Sequence, residues 1–159
     1  MDQSWQSSVF QLVSFVIAEQ QYALPLSVVE RVLPMVAVSP LPHAPSIALG
    51  VINLHGRVIP VLDIRRRLGF PTRDYGLTAH LLVARTHRRT LALPVDEVWG
   101  VQEVPAEAVV PPHAILPHLG HVAGIVMLTD GLLVIQDLED FLSLEEERRL
   151  TEALTEIER

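Results

Sequence analysis

The chain has 159 residues, 49% of them hydrophobic and 19% charged, which suits one globular unit with a real core and argues against disorder. A formal net charge of -7 disfavours a phosphate-tracking surface, so nucleic acid is not an expected partner. No cysteine is present, which removes disulfides and thiolate chemistry, and no uninterrupted apolar run reaches the roughly twenty residues of a membrane span. Met1 to Gln11 lacks a basic stretch followed by an apolar one, so the expected setting is soluble and cytoplasmic, without direct membrane insertion.

Most apolar segments are short, rich in Val, Ile and Leu, and bounded by turn residues, which predicts a mainly β fold. In chain order, Phe10 to Ala18 and Tyr22 to Pro25 flank the polar tip Glu19-Gln20-Gln21 and predict a hairpin. Ser27-Val28-Val29-Glu30 follows with the spacing of a capping box. Pro34 to Pro45 is proline-rich and predicts a surface loop. Gly50 to Leu54, the turn His55-Gly56-Arg57 and Val58 to Leu62 predict a second hairpin, and Asp63 then caps a short helix that closes at Gly69.

The same order returns. Leu81 to Arg85 and Leu91 to Val95 flank His87-Arg88-Arg89, and Ala92-Leu93-Pro94-Val95 matches Ala23-Leu24-Pro25-Leu26. Val98 and Val101 answer Val29 and Val32. After a further proline-rich stretch, Pro105 to Pro117, Gly124 to Leu128 aligns with Gly50 to Leu54. The turn Thr129-Asp130-Gly131, the strand Leu132 to Ile135 and the cap Asp137 complete the copy. Ser143-Leu144-Glu145-Glu146 then predicts the start of a terminal helix over 143–158, with Leu150, Ala153, Leu154 and Ile157 on one face, packed on the chain's own core.

A duplication of about seventy residues predicts two similar β units, and a solenoid would need more and shorter repeats. Neither unit offers much core alone, so the two should pack across an apolar interface and leave a groove, a candidate binding site.

The stretch Gly50 to Gly69, GVINLHGRVIPVLDIRRRLG, resembles the central motif of CheW-like domains: a glycine, two apolar residues, Asn-Leu-Arg-Gly, then Pro-Val and Asp-Leu-Arg. The likeness extends to Tyr22-Ala23-Leu24-Pro25, Val29-Glu30, Leu91 to Val101 and Gly124 to Leu142, which is most of the chain. The resemblance implies one CheW-like domain over 8–159, made of two SH3-like five-stranded β-barrels with short helices and a C-terminal helix. The halves are expected at 19–77 and 78–140, plus an N-terminal strand. It also implies a non-catalytic scaffold that couples chemoreceptors to a CheA-type histidine kinase. One barrel surface would dock the kinase's CheW-like regulatory domain, and the groove would receive the receptor's helical hairpin tip. A related adaptor of another kinase pathway, such as twitching motility, is the alternative.

The candidate partner-binding residues are Glu30, Asn53, His55, Gly56, Arg57 and Arg65. Glu30 is either a surface carboxylate or the cap of a helix start. Asn53 and Gly56 suit a tight turn whether or not anything binds there, but Met127 stands at the position of Asn53 in the second copy, so the fold does not require Asn. His55 departs from the family's usual Arg, a permanently charged fork. If that Arg pairs with the residue at Glu30, His55 implies a weaker or pH-dependent contact, for which neighbouring Arg57 is a substitute. Arg65-Arg66-Arg67 is a basic patch or a solvated face, with Arg65 the one matched to the family motif.

No cofactor or metal is implied. His113, His118 and His121 match neither a helical zinc motif nor a zinc-finger pair. Asp63 and Asp137 read as caps rather than catalytic acids, and Trp99 is expected to be buried in the second unit. A small β-barrel enzyme or ligand-binding protein is a remote reading, because the chain has no glycine-rich phosphate loop and no nucleophile elbow.

Overall fold

The computed structural model describes residues 8–71, 75, 76, 78–112 and 121–157. Strand β1 (Val9–Ile17) and β2 (Gln20–Pro25) form the first hairpin. Its turn is Ala18-Glu19, both in the left-handed region, and Gln20 and Gln21 already pair with Ile17 and Val16 rather than forming the tip. A 3-10 turn over Leu26–Val28 leads to β3 (Val29–Pro34). β4 (Ala48–Leu54), β5 (Arg57–Leu62) and helix α1 (Ile64–Leu68) complete the first copy. The second copy supplies β6 (His80–Arg85), β7 (Thr90–Val95), β8 (Glu97–Pro105), β9 (Val109–Val110), β10 (Val122–Leu128) and β11 (Gly131–Gln136). A 3-10 turn over Leu138–Asp140 precedes helix α2 (Leu144–Ile157).

The fold is mainly β, as its strand-rich, turn-punctuated sequence predicts. Its strands make two sheets, β8-β1-β2-β11-β10-β9 and β3-β6-β7-β5-β4. The two orders correspond strand for strand under the sequence repeat, and each has one parallel joint, β2 on β11 and β7 on β5. β9 is an extra two-residue strand in the six-stranded sheet, drawn from the segment expected to be loop.

The expected division into halves 19–77 and 78–140 does not follow the sheets. The first hairpin, β1–β2, joins β8 to β11, whereas β3 to β5 join the second hairpin, β6–β7. The two copies have exchanged hairpins. The physical reason lies in the core, which has three parts. Leu12, Ala23, Val104, Val126, Leu133 and Ile135 fill the six-stranded unit, and Ile52, Ile59, Val61, Leu81, Val83 and Ala92 fill the five-stranded one. Alternate residues of both hairpins face the other way, among them Val13, Phe15, Ile17, Leu82, Leu91 and Leu93, and meet in a shared cluster. The hairpins are thus buried on both faces, which is why they read as near-continuous apolar runs.

The repeat's glycines have a steric role. A Cβ on Gly50 would lie 2.1 Å from the Ser39 carbonyl oxygen, because Ser39 bridges to Val51 there. A Cβ on Gly124 would lie 2.5 Å from Val109 Cγ1, on β9. Both glycines let a second chain segment lie against the strand at the same point of the repeat.

The caps are formed as the residue types dictate. The Asp63 carboxylate accepts from Arg66 N–H at 3.4 Å, and Asp137 accepts from Glu139 N–H at 3.0 Å. At α2, Ser143 Oγ accepts from Glu146 N–H at 3.1 Å while Ser143 N–H donates to Glu146 Oε1 at 2.9 Å. Leu150 and Ala153 are buried in the shared core, so α2 docks on its own chain.

Candidate functional site

β4 and β5 are joined by His55-Gly56, at φ 53° and 86°, the two consecutive left-handed residues of a type I′ hairpin turn. Asn53 Oδ1 accepts from Gly56 N–H at 2.8 Å and braces the tip from the side. The second copy's counterpart turns at Thr129-Asp130 without left-handed residues, and Met127, in Asn53's place, is 63% exposed. The left-handed tip braced by an Asn side chain therefore belongs to the first copy and not to its counterpart.

Arg57, the first residue of β5, carries the tip's charge into the sheet surface. Its Nη1 lies 3.3 Å from Glu30 Oε2, and its Nη2 donates to Thr90 Oγ1 at 2.9 Å. Thr90 Oγ1 in turn donates to Glu30 Oε1 at 3.2 Å. Three strands, β3, β5 and β7, thus place one carboxylate, one guanidinium and one hydroxyl in a closed ring of contacts on an exposed face. Glu30 does not cap a helix: the turn over Leu26–Val28 has no side-chain cap, and Glu30 lies within β3. The register of β3 against β6 shifts between Val29 and Arg31, so Glu30 is the extra residue of a β-bulge, which turns its side chain outward.

Five of the six predicted residues therefore converge: Glu30, Asn53, His55, Gly56 and Arg57. Arg65 does not join them. It is 3% exposed, and its Nη2 donates to Asp96 Oδ2 at 2.7 Å inside the molecule. The rest of the arginine run is also used internally. Arg66 donates to the Ser46 carbonyl at 3.1 Å, and Arg67 donates to Glu146 on α2 at 2.6 Å while lying over the Phe141 ring. Three successive residues of one short helix point in three directions, so the run does not make a basic patch.

Thr90 is the member of the cluster that sequence reading missed, since nothing local marks a strand-opening threonine as a bridge between two charges. Trp99, expected to be buried, is 55% exposed. It occupies in β8 the place of Glu30 in β3, and the register of β8 against β1 shifts at the same point, leaving Trp99 on the bulge. The backbone device is repeated with opposite chemistry, charged in one unit and aromatic in the other.

Among the described residues no group of three or more His, Cys, Asp or Glu side chains is placed to hold a metal; His113 and His118 lie outside those residues. His121 lies edge-on to Phe141, and burial, with help from the Arg67 charge, lowers its pKa. No helix among the described residues is long and apolar enough to cross a membrane.

Residues 11–146 match the family model described as CheW-like domain. The chain is 29% identical over 135 residues to the probable chemotaxis protein CheW of Rhizobium etli, an alignment covering 84% of this chain and 87% of that one. It is 31% identical over 98 residues to Protein FrzA of Myxococcus xanthus, covering 62% and 61%. The scaffolding protein TtCheW from Thermoanaerobacter tengcongensis superposes with a TM-score of 0.79 at 26% identity, over 87% of this chain and 96% of that structure. With a matching fold, a matching core motif and a family model spanning most of its length, the chain belongs to the CheW-like domain family.

Proposed function

We propose that this chain is a non-catalytic cytoplasmic adaptor of chemotaxis signal transduction that couples chemoreceptors to a CheA-type histidine kinase. The kinase's CheW-like regulatory domain and the receptor's hairpin tip are its partners, and the Glu30, Asn53, His55, Gly56 and Arg57 end of the five-stranded sheet is the contact surface. The observation that carries this reading is the ring formed by Glu30, Arg57 and Thr90, an exposed polar cluster drawn from three strands and adjoining a braced hairpin tip. Charged groups arranged this way serve specificity and encounter rate at an interface more than the stability of the fold. Relatives named as chemotaxis proteins, and a solved relative named as a scaffolding protein, support the same reading.

Titration of the purified kinase regulatory domain with this chain tests it. Saturable binding that weakens in Arg57→Ala is the expected result, and no binding by the parent chain would overturn it. The likeness to Protein FrzA, whose name carries no chemotaxis label, supports a second reading, an adaptor of another kinase pathway such as twitching motility. A pull-down from the native cell separates the two by the kinase recovered.

A further inference from the structure

The chain passes from a strand of one sheet to a strand of the other at two places, after β2 and after β7. The first crossing is the three-residue turn Leu26–Val28. The second is a single residue, Asp96, and three of its hydrogen bonds reach different parts of the crossing. Its N–H donates to the Val16 carbonyl at 3.0 Å, in the six-stranded sheet. Its Oδ2 accepts from Ala18 N–H at 2.8 Å, in the turn that ends β1. The same oxygen accepts from Arg65 Nη2 at 2.7 Å, on the helix that continues from β5 of the five-stranded sheet.

We propose that Asp96 is a pin that fixes the two sheets against each other, and so a positioning residue for partner binding. The Arg65 side chain is 4% exposed and that of Asp96 16%, so the bond between them is a short, charge-assisted one in a setting where water competes poorly. Removing the carboxylate leaves the Arg65 charge buried without this partner, which the surrounding structure can relieve only by moving. Asp96 also holds Ala18, which sits at φ 51°, a conformation unfavourable for a residue with a Cβ and maintained by its surroundings. Asp96 lines a shallow cleft with Val16 and Glu19 from the six-stranded unit and Thr78 and Ala79 from the approach to β6, so its position sets the shape of a junction between the units. The matching residue of the first copy is Ser27, which has no charge, so the ion-pair pin belongs to one crossing only.

Because the chain has no cysteine, a pair of spin labels can be placed cleanly. Arg31→Cys on β3 and Glu103→Cys on β8 are exposed sites, one on each sheet. The labelled parent should give one narrow distance distribution. Asp96→Ala should broaden or displace it, and Asp96→Asn and Arg65→Lys provide milder variants in case the alanine chain fails to fold, with far-UV circular dichroism confirming that each is folded. A distribution in folded Asp96→Asn and Arg65→Lys identical to the parent's overturns the pin. The consequence for binding rests on the adaptor reading above: weaker kinase-domain binding by the same variants supports it, and a displaced distribution in variants that bind as tightly as the parent overturns the positioning role. Absence of kinase binding by the parent overturns the adaptor reading and the positioning role that rests on it, whereas the pin is tested separately, because the distance measurement needs no partner.

Discussion

Arg57 reaches across the sheet surface to Glu30, 3.3 Å from guanidinium nitrogen to carboxylate oxygen, and Thr90 bonds to both. The Arg57 side chain is 53% exposed, so screening by water limits the pair to about 0–1 kcal/mol of stability. Arg57→Ala and Glu30→Ala should therefore shift the folding free energy by less than about 1 kcal/mol in denaturant titrations. Each should weaken kinase-domain or receptor-tip binding by about tenfold or more, equivalent to about 1.4 kcal/mol. A large loss of stability with unchanged binding would make the cluster a structural clasp.

His55 stands at the tip with a left-handed backbone and an exposed ring, and the cation that faces Glu30 is Arg57. His55→Arg adds a second permanent fork at the hairpin tip, two residues from Arg57, and should strengthen partner binding. His55→Gly relieves the unfavourable φ and should raise stability by up to about 1 kcal/mol while removing whatever the ring contributes to binding. Calorimetric titration and thermal melts of the two variants separate the backbone effect from the side-chain effect. Unchanged affinity in His55→Arg would remove the tip from the contact surface.

Helix α2 is part of the fold. Leu150 is fully buried in the cluster shared by both sheets, so Leu150→Ala should destabilise the chain by about 2–5 kcal/mol. A loss below about 1 kcal/mol would mean that the helix detaches and the core closes without it.

The same helix should respond to acid. Burial pushes the Glu146 carboxyl up, but the Ser143 N–H and the Arg67 guanidinium outweigh it, and the net pKa lies below the usual value. A depressed folded-state pKa stabilises the fold above the unfolded value, about 4.3, and that stabilisation is lost as pH falls through the folded value. Stability should therefore drop below about pH 4.3. Glu146→Gln should be less stable than the parent at neutral pH and lose less on acidification, measured as urea midpoints across the pH range.

Much of this architecture is legible in the residues. The two glycine-led hairpins, the Asp caps and the capping box of α2 are local patterns, each written within a few positions. The exchange of hairpins is not, because β1–β2 and β6–β7 carry a similar apolar pattern and the same Ala-Leu-Pro string, and local pattern does not say which sheet each will join. Glu30 and Trp99 show the limit most clearly. Both stand on β-bulges that turn them outward, and a bulge is defined by register against a partner strand, which spacing along one strand does not reveal. The burial of Arg65 is hidden for a related reason: on a five-residue helix, each arginine's surroundings are set by what packs there in three dimensions.

Trp99 offers a direct optical check of that exposure. In a Trp5→Phe background its emission should be red-shifted and readily quenched by acrylamide, and Trp99→Ala should cost less than about 0.5 kcal/mol. Blue-shifted, protected emission would contradict the exposed placement.

The most direct test of the adaptor account is a calorimetric titration of the purified CheW-like regulatory domain of the kinase with the parent chain, Glu30→Ala and Arg57→Ala, all three verified as folded. The account predicts saturable binding by the parent and affinity about tenfold weaker or worse in both variants. Absence of parent binding, or equal affinity across the three, would contradict it.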